Sequence, residues 1–308
     1  MKHFHFESET DGFYGAYWEN TTQTDAALIV MLGDDPEDHM CKACVRWLQN
    51  DGFNVLSMSP AKKDYGHHNY PLERIEIAIQ WLKEHGNKKI GIVGASTTGM
   101  LALVAASHFP DITLTLAFTP SDFVWQGFMQ GKKDGCKEWP IPGESTVSYH
   151  GKPIPYMPFV YQHPEYWHVV EQSSKEHKDL LHSRRLFDDS EAAGLLKKEH
   201  MIPVEKIQGR LVLVGAEDDG LWDTVKYIKR MEQRLQNKTH ACSYAAYIYE
   251  HGTHFVFPQT LLRKIFPVAA DWIVTKCFSA AKQYPAACRA TRMDLDQKIH
   301  TELINWKK

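Results

Sequence analysis

Nowhere in its 308 residues does this chain carry an apolar run approaching the length of a membrane span, so no spanning segment is expected. Its opening residues, MKHFHFESETDG, alternate apolar and polar types and carry acids. They lack the apolar core of a secretory signal, and none is expected. Cysteine is scarce: six residues do not make a secreted disulfide framework, which points to the reducing cytoplasm. Cys41 and Cys44 form a C-x-x-C, but no second pair stands at zinc spacing, and they read as two cysteines on one helix. An excess of one charge is missing too. Thirty-five basic side chains face 38 acidic ones, a net charge of −3, which leaves no footprint for nucleic acid or an anionic membrane surface. Internal repeats and low-complexity tracts are absent. What is present is 43% apolar and 24% charged residues, the balance of a folded soluble protein long enough to bury a sizeable core.

The apolar runs set an alternating order. HFHFE and FYGAYWE around SETDG read as an opening β-hairpin. ALIVML, FNVLSMS, KKIGIVG and DITLTLAFT read as buried strands. Between them lie helices: EDHMCKACVRWLQNDG, closed by Gly52; PLERIEIAIQWLKEHG, with Pro71 near its first turn; and TGMLALVAASHF. After Thr119 the alternation stops. Residues 120 to 205 are rich in proline and aromatics, too long for a plain connection and better read as a lid. The pattern then returns with GRLVLVGAEDD, TVKYIKRMEQRL and CSYAAYIYEHGTH. A helix over QTLLRKIFPVAADWIVTKC, with Pro267 inside it, and a helical tail complete the chain. The expectation is one α/β domain over 1–308 with a mostly parallel sheet covered on both faces.

In such a sheet, ligands gather at the carboxyl ends of the strands. Three reactive groups fall there: Ser96 after KKIGIVGA, Asp218 and Asp219 after RLVLVGAE, and His251 and His254 after SYAAYIYE. The order Ser, Asp, His is that of α/β-hydrolases, whose nucleophile elbow reads G-x-S-x-G. GASTTG departs from it, since Thr98 holds the fifth place and Gly99 comes one residue late. A serine hydroxyl attacks an acyl carbon only if a base takes its proton, and an aspartate must hold the imidazole in the right tautomer. Ser96 is the expected nucleophile and Thr97 its rival. Asp122, after LAFTP, is a rival acid because it too follows a strand end. The backbone N–H of Thr97 and one from the loop at Gly33, Asp34 or Asp35 would form the oxyanion hole. Neither cofactor nor metal is called for.

LGDD, DGFNVLSMS, IGIVGAST, PVEKIQGRLVLVGAEDDGLWDT and YEHGTHFVFP together resemble the C-terminal catalytic domain of the acyl-CoA thioester hydrolase and bile acid-CoA:amino acid N-acyltransferase family, related to dienelactone hydrolase. The resemblance spans about 25–275. It implies the α/β-hydrolase fold, with the nucleophile at Ser96, the acid at Asp218, three residues after Gly215, and the base at His254. The acyltransferase branch carries cysteine at the nucleophile, so serine leans to hydrolysis. The expected reaction is cleavage of a small-molecule acyl thioester such as an acyl-CoA. A carboxylesterase or dienelactone-hydrolase-like enzyme on oxygen esters is the alternative, and a non-catalytic binding protein of the same fold a further one. Trp125, Tyr156, Tyr161 and Trp167 are candidates to wall an acyl pocket. His67 and His68, with Lys62 and Lys63, are candidates to meet a CoA phosphate.

Overall fold

A computed structural model describes residues 3–32, 35–59 and 66–308. Its main sheet has eight strands: β1 (His3–Phe6), β2 (Gly15–Trp18), β3 (Ala26–Met31), β4 (Asn54–Met58), β5 (Lys89–Ala95), β6 (Ile112–Phe118), β7 (Arg210–Ala216) and β8 (Ser243–Tyr249). Their order across the sheet is β1-β2-β4-β3-β5-β6-β7-β8. All neighbours from β4 to β8 pair in parallel, while β2 runs antiparallel to both β1 and β4. This is the α/β-hydrolase fold. Strands β3, β5, β6 and β7 are buried along most of their length. A strand covered on both faces has no solvent side to mark with polar residues, hence the continuous apolar runs.

Helices cover both faces. On one, α1 (His39–Asn50), α7 (Gln259–Ile265) and α9 (Pro285–Lys307) bury Cys44, Leu48, Leu261, Leu295 and Ile299 against the sheet. On the other, α2 (Glu73–Glu84), α3 (Thr97–His108) and α6 (Thr224–Asn237) contribute Ile75, Ile79, Leu103, Ile228 and Met231. Two expected helices differ from their reading. The helix over 259–277 is two, α7 and α8 (Ala270–Cys277), because Pro267 lacks the N–H to continue and Ala269 turns left-handed at φ 63. Pro71 lies in a two-residue strand paired with Val147–Tyr149, and α2 starts at Glu73. Among the described residues no helix is long and apolar enough to cross a membrane.

The segment from 120 to 205 has its own architecture. Strands Gln126–Lys133 and Cys136–Ser145 pair antiparallel, and Gly66–His67 adds to that ribbon. Helices α4 (Glu165–His177) and α5 (Arg184–Ala192) follow. A partly buried ion network, centred on the buried Asp122 carboxylate, ties this insertion to α6. Arg230 makes two bonds to the Asp122 carboxylate (2.7 and 2.6 Å) and one to Glu191 (2.7 Å), which Lys226 also pairs. Burial pushes the Asp122 carboxyl up to about 6 against the pull of that guanidinium. Removing one partner of a buried pair strands the other charge. Arg230→Ala is therefore expected to cost about 3–5 kcal/mol in urea unfolding, with part of the loss recovered in Asp122→Asn/Arg230→Ala. A double variant no more stable than Arg230→Ala contradicts the reading.

Candidate active site

Ser96 occupies a backbone conformation that few side chains adopt, φ 59 and ψ −127. It stands between β5 and α3, and its N–H donates to the Phe118 carbonyl at the end of β6 (2.9 Å). Strand and helix approach so closely that a Cβ on Gly94 would run into the Thr98 carbonyl oxygen. A Cβ on Gly99 would lie 2.8 Å from the Phe118 carbonyl oxygen. Gly94 thus clears the helix and Gly99 clears the neighbouring strand, which is the use of a glycine placed one residue late.

Thr98 is accommodated because its hydroxyl is engaged. Oγ1 accepts the Ala95 N–H (3.0 Å) and directs its proton to the carbonyls of Met31 (2.6 Å) and Ala95 (2.8 Å). The side chain fastens the elbow to the end of β3. Thr97 opens α3, where a backbone N–H has no acceptor within the helix and the helix dipole favours negative charge. Of the other oxyanion candidates, Gly33 and Asp34 lie outside the described residues. Asp35 turns its carboxylate to the Tyr14 hydroxyl (2.8 Å) and the Glu37 N–H (2.8 Å).

His254 is buried on the loop after β8. Its Nδ1 lies 3.0 and 2.9 Å from the two carboxylate oxygens of Asp219. Its Nε2 is buried without a hydrogen-bond partner. The acid on the ring is therefore Asp219 and not Asp218, which corrects the expectation drawn from the spacing to Gly215. The two adjacent carboxylates face different groups. Asp219 also accepts from the Leu221 N–H (2.9 Å) and the Thr224 hydroxyl, which fix its orientation. Asp218 accepts the backbone N–H groups of Gly252 (2.9 Å) and Thr253 (2.7 Å) and approaches the His251 ring (3.3 Å). It holds the loop that carries His254, including Thr253 at φ 57. Asp122, the rival acid, is committed to Arg230.

Trp222 joins these pieces, a residue to which the sequence reading gave no role. Its indole N–H donates to the Thr119 carbonyl (3.1 Å), one residue past the carbonyl that holds Ser96. Its ring meets that of His254 edge-on at 4.9 Å and lies 5.1 Å from Trp125 and 5.2 Å from Phe187. Of the four aromatics expected in an acyl wall, Trp125 belongs to this group. Tyr161 donates to Asp189 (2.6 Å) under the Arg185 guanidinium, and Trp167 lies under the Lys137 ammonium. Tyr156 packs half-buried against the main core.

Of the phosphate candidates, His67 and His68 lie within the described residues. Burial and the neighbouring His68 push His67 down to about 4, so it is neutral at pH 7, and His68 pairs with Glu144 (2.7 Å). Lys62 and Lys63 lie outside the described residues. Cys41 and Cys44 are buried thiols on α1, and burial pushes Cys44 up to about 12 and Cys41 well above the usual range. Protonated and covered, they are poor nucleophiles and ligands.

The family model described as BAAT / acyl-CoA thioester hydrolase C terminal matches residues 70–261. No curated protein matches. Among solved structures, the Pyrococcus furiosus esterase Pf2001 is similar at 14% identity over 88% of this chain and 87% of its own, TM-score 0.46. A putative dienelactone hydrolase from Klebsiella pneumoniae matches at 11% over 88% of each chain, TM-score 0.47. MGS-M1, an α/β hydrolase from a Medee basin deep-sea metagenome library, matches at 11% over 96% and 93%, TM-score 0.48.

The Thr98 hydroxyl yields a direct test. Valine keeps the volume but leaves the Ala95 N–H and the Met31 carbonyl without their partner. Thr98→Val is expected to lower stability by about 1–3 kcal/mol, read from the urea midpoint. A change within about 0.5 kcal/mol, as at an ordinary surface site, would show that the elbow does not depend on this bond.

Proposed function

The chain belongs to the BAAT / acyl-CoA thioester hydrolase C-terminal family, and from that premise we propose that it is a serine hydrolase of acyl esters, with acyl thioesters as its substrates. The observation that carries the reading is His254: Nδ1 held by a buried carboxylate, Nε2 buried and unpartnered, at the strand ends where Ser96 takes its left-handed turn. A buried polar atom with no partner is costly, and an imidazole nitrogen so placed, opposite a nitrogen held by a carboxylate, is available to take a proton.

Ser96 Oγ attacks the acyl carbon while His254 Nε2 takes its proton, and Asp219 stabilises the imidazolium that forms. The carbonyl oxygen becomes an oxyanion, for which the Thr97 N–H at the start of α3 is one donor; the loop after β3 would supply the second. His254 then protonates the departing thiolate or alkoxide, leaving an ester on Ser96. Water, activated by the same imidazole, releases the acid. A serine acyl ester suits hydrolysis, in line with the family's use of cysteine in its acyl-transferring branch. The insertion from 120 to 205, whose Trp125 packs on Trp222, is the proposed cover over the acyl group. Six free cysteines fit a reducing compartment such as the cytoplasm.

Purified protein tested on acyl-CoAs and p-nitrophenyl esters is expected to give the higher kcat/KM on the thioesters. Ser96→Ala should lower kcat on the order of 10³-fold or more. Asp219→Asn, which offers the ring the wrong partner, should lower it on the order of 10⁴-fold, and Asp218→Asn far less. A larger loss from Asp218→Asn than from Asp219→Asn would reverse the assignment of the acid. Unchanged turnover in Ser96→Ala would remove the nucleophile.

A further inference from the structure

Several buried polar side-chain atoms among the described residues have no hydrogen-bond partner, and three of them belong to residues that meet Trp222. One is His254 Nε2, used above. The others are the Thr119 hydroxyl and the Trp125 indole N–H. Thr119 is fully buried and follows β6 directly, with its carbonyl bonded to the Trp222 indole. Its backbone is left-handed, φ 43, which a β-branched residue adopts only when its surroundings impose it. The Val214 carbonyl does so by accepting its N–H (2.7 Å). Trp125 is also buried, 5.1 Å from Trp222 between ring centroids, and the Phe123 and Phe187 rings that pack on it offer the indole N–H no acceptor.

A strained threonine with a free hydroxyl and an indole with a free N–H thus both meet Trp222, whose ring packs on the His254 imidazole. A plain alkyl chain would leave both unsatisfied. We propose that Thr119 and Trp125 recognise an oxygen substituent on the acyl group, so that the substrate class is a short hydroxy- or oxo-acyl thioester or ester rather than an unsubstituted fatty acyl one. Threonine can donate to or accept from a hydroxyl, and the indole donates to a hydroxyl or keto oxygen. Sites built to pair a substrate oxygen reject the analogue that lacks it far more strongly than apolar pockets discriminate by size. This inference rests on the hydrolase reading above and deepens it.

The test compares 3-hydroxybutyryl, acetoacetyl and butyryl thioesters on the wild type, Thr119→Val and Thr119→Ser. In the wild type, kcat/KM for at least one oxygenated substrate should exceed that for butyryl about tenfold or more. Thr119→Val should bring the ratio close to one, and Thr119→Ser, which keeps the hydroxyl, should preserve it. A purely structural role for Thr119 would lower all three substrates in proportion and leave the ratio unchanged, which overturns the proposal. Competitive inhibition of the wild type gives a readout free of folding effects: 3-hydroxybutyrate should inhibit more strongly than butyrate. A wild type that turns over all three equally defeats this inference but leaves the hydrolase standing. One that turns over none of them, nor any p-nitrophenyl ester, defeats both.

Discussion

Everything at this site depends on one backbone constraint, the left-handed Ser96 between β5 and α3. Once φ is positive there, the chain reverses so sharply that helix and strand nearly touch. The cost is met by local fixtures: no side chain on Gly94 or Gly99, the Ser96 N–H on the Phe118 carbonyl, and the Thr98 hydroxyl bridging to β3. The same turn lifts Ser96 out of the buried sheet and sets it at the start of α3. Neighbouring strands share in the arrangement, since the end of β6 supports Ser96 through Phe118 and Trp222 through Thr119.

The two acids after β7 divide their work by direction. Asp219 faces the His254 ring and is steadied by the turn that follows it, through Leu221 and Thr224. Asp218 faces the backbone of the histidine loop and holds it by two N–H bonds. Trp222 closes the assembly from the side of the insertion, whose helix α5 also reaches the acid turn. The backbone N–H groups of Ser183 and Arg184 both donate to the Gly220 carbonyl. Two hydrogen bonds thus join the insertion to the residue next to Asp219, whose carboxylate faces the imidazole.

Much of this was legible in the sequence. Strands buried on both faces advertise themselves as unbroken apolar runs, and a Ser, Asp, His order at strand ends survives without any structure. What resisted reading was direction. Adjacent residues such as Asp218 and Asp219 have the same type and nearly the same spacing, and only the turn decides which one faces the ring. Thr98 read only as a departure from the elbow pattern, because the hydrogen bond that seats it goes to the carbonyl of Met31, 67 positions away. Pro267 was read inside a helix because the apolar pattern continues past it, yet the missing N–H breaks the element there. The aromatics of the insertion share a composition but not a place. Trp125 joins the group over His254, while Tyr161 and Trp167 meet charged side chains elsewhere.

The central claim is that Ser96, His254 and Asp219 act as one unit around the elbow. A crystal structure of the protein after reaction with a fluorophosphonate tests it most directly. The account predicts phosphorus bonded to Ser96 Oγ, the phosphonyl oxygen accepting the Thr97 N–H, and His254 Nε2 within hydrogen-bond reach of the adduct with its Nδ1 still on Asp219. An adduct on Thr97, or a phosphonylated Ser96 with the His254 ring turned away from it, would contradict the account.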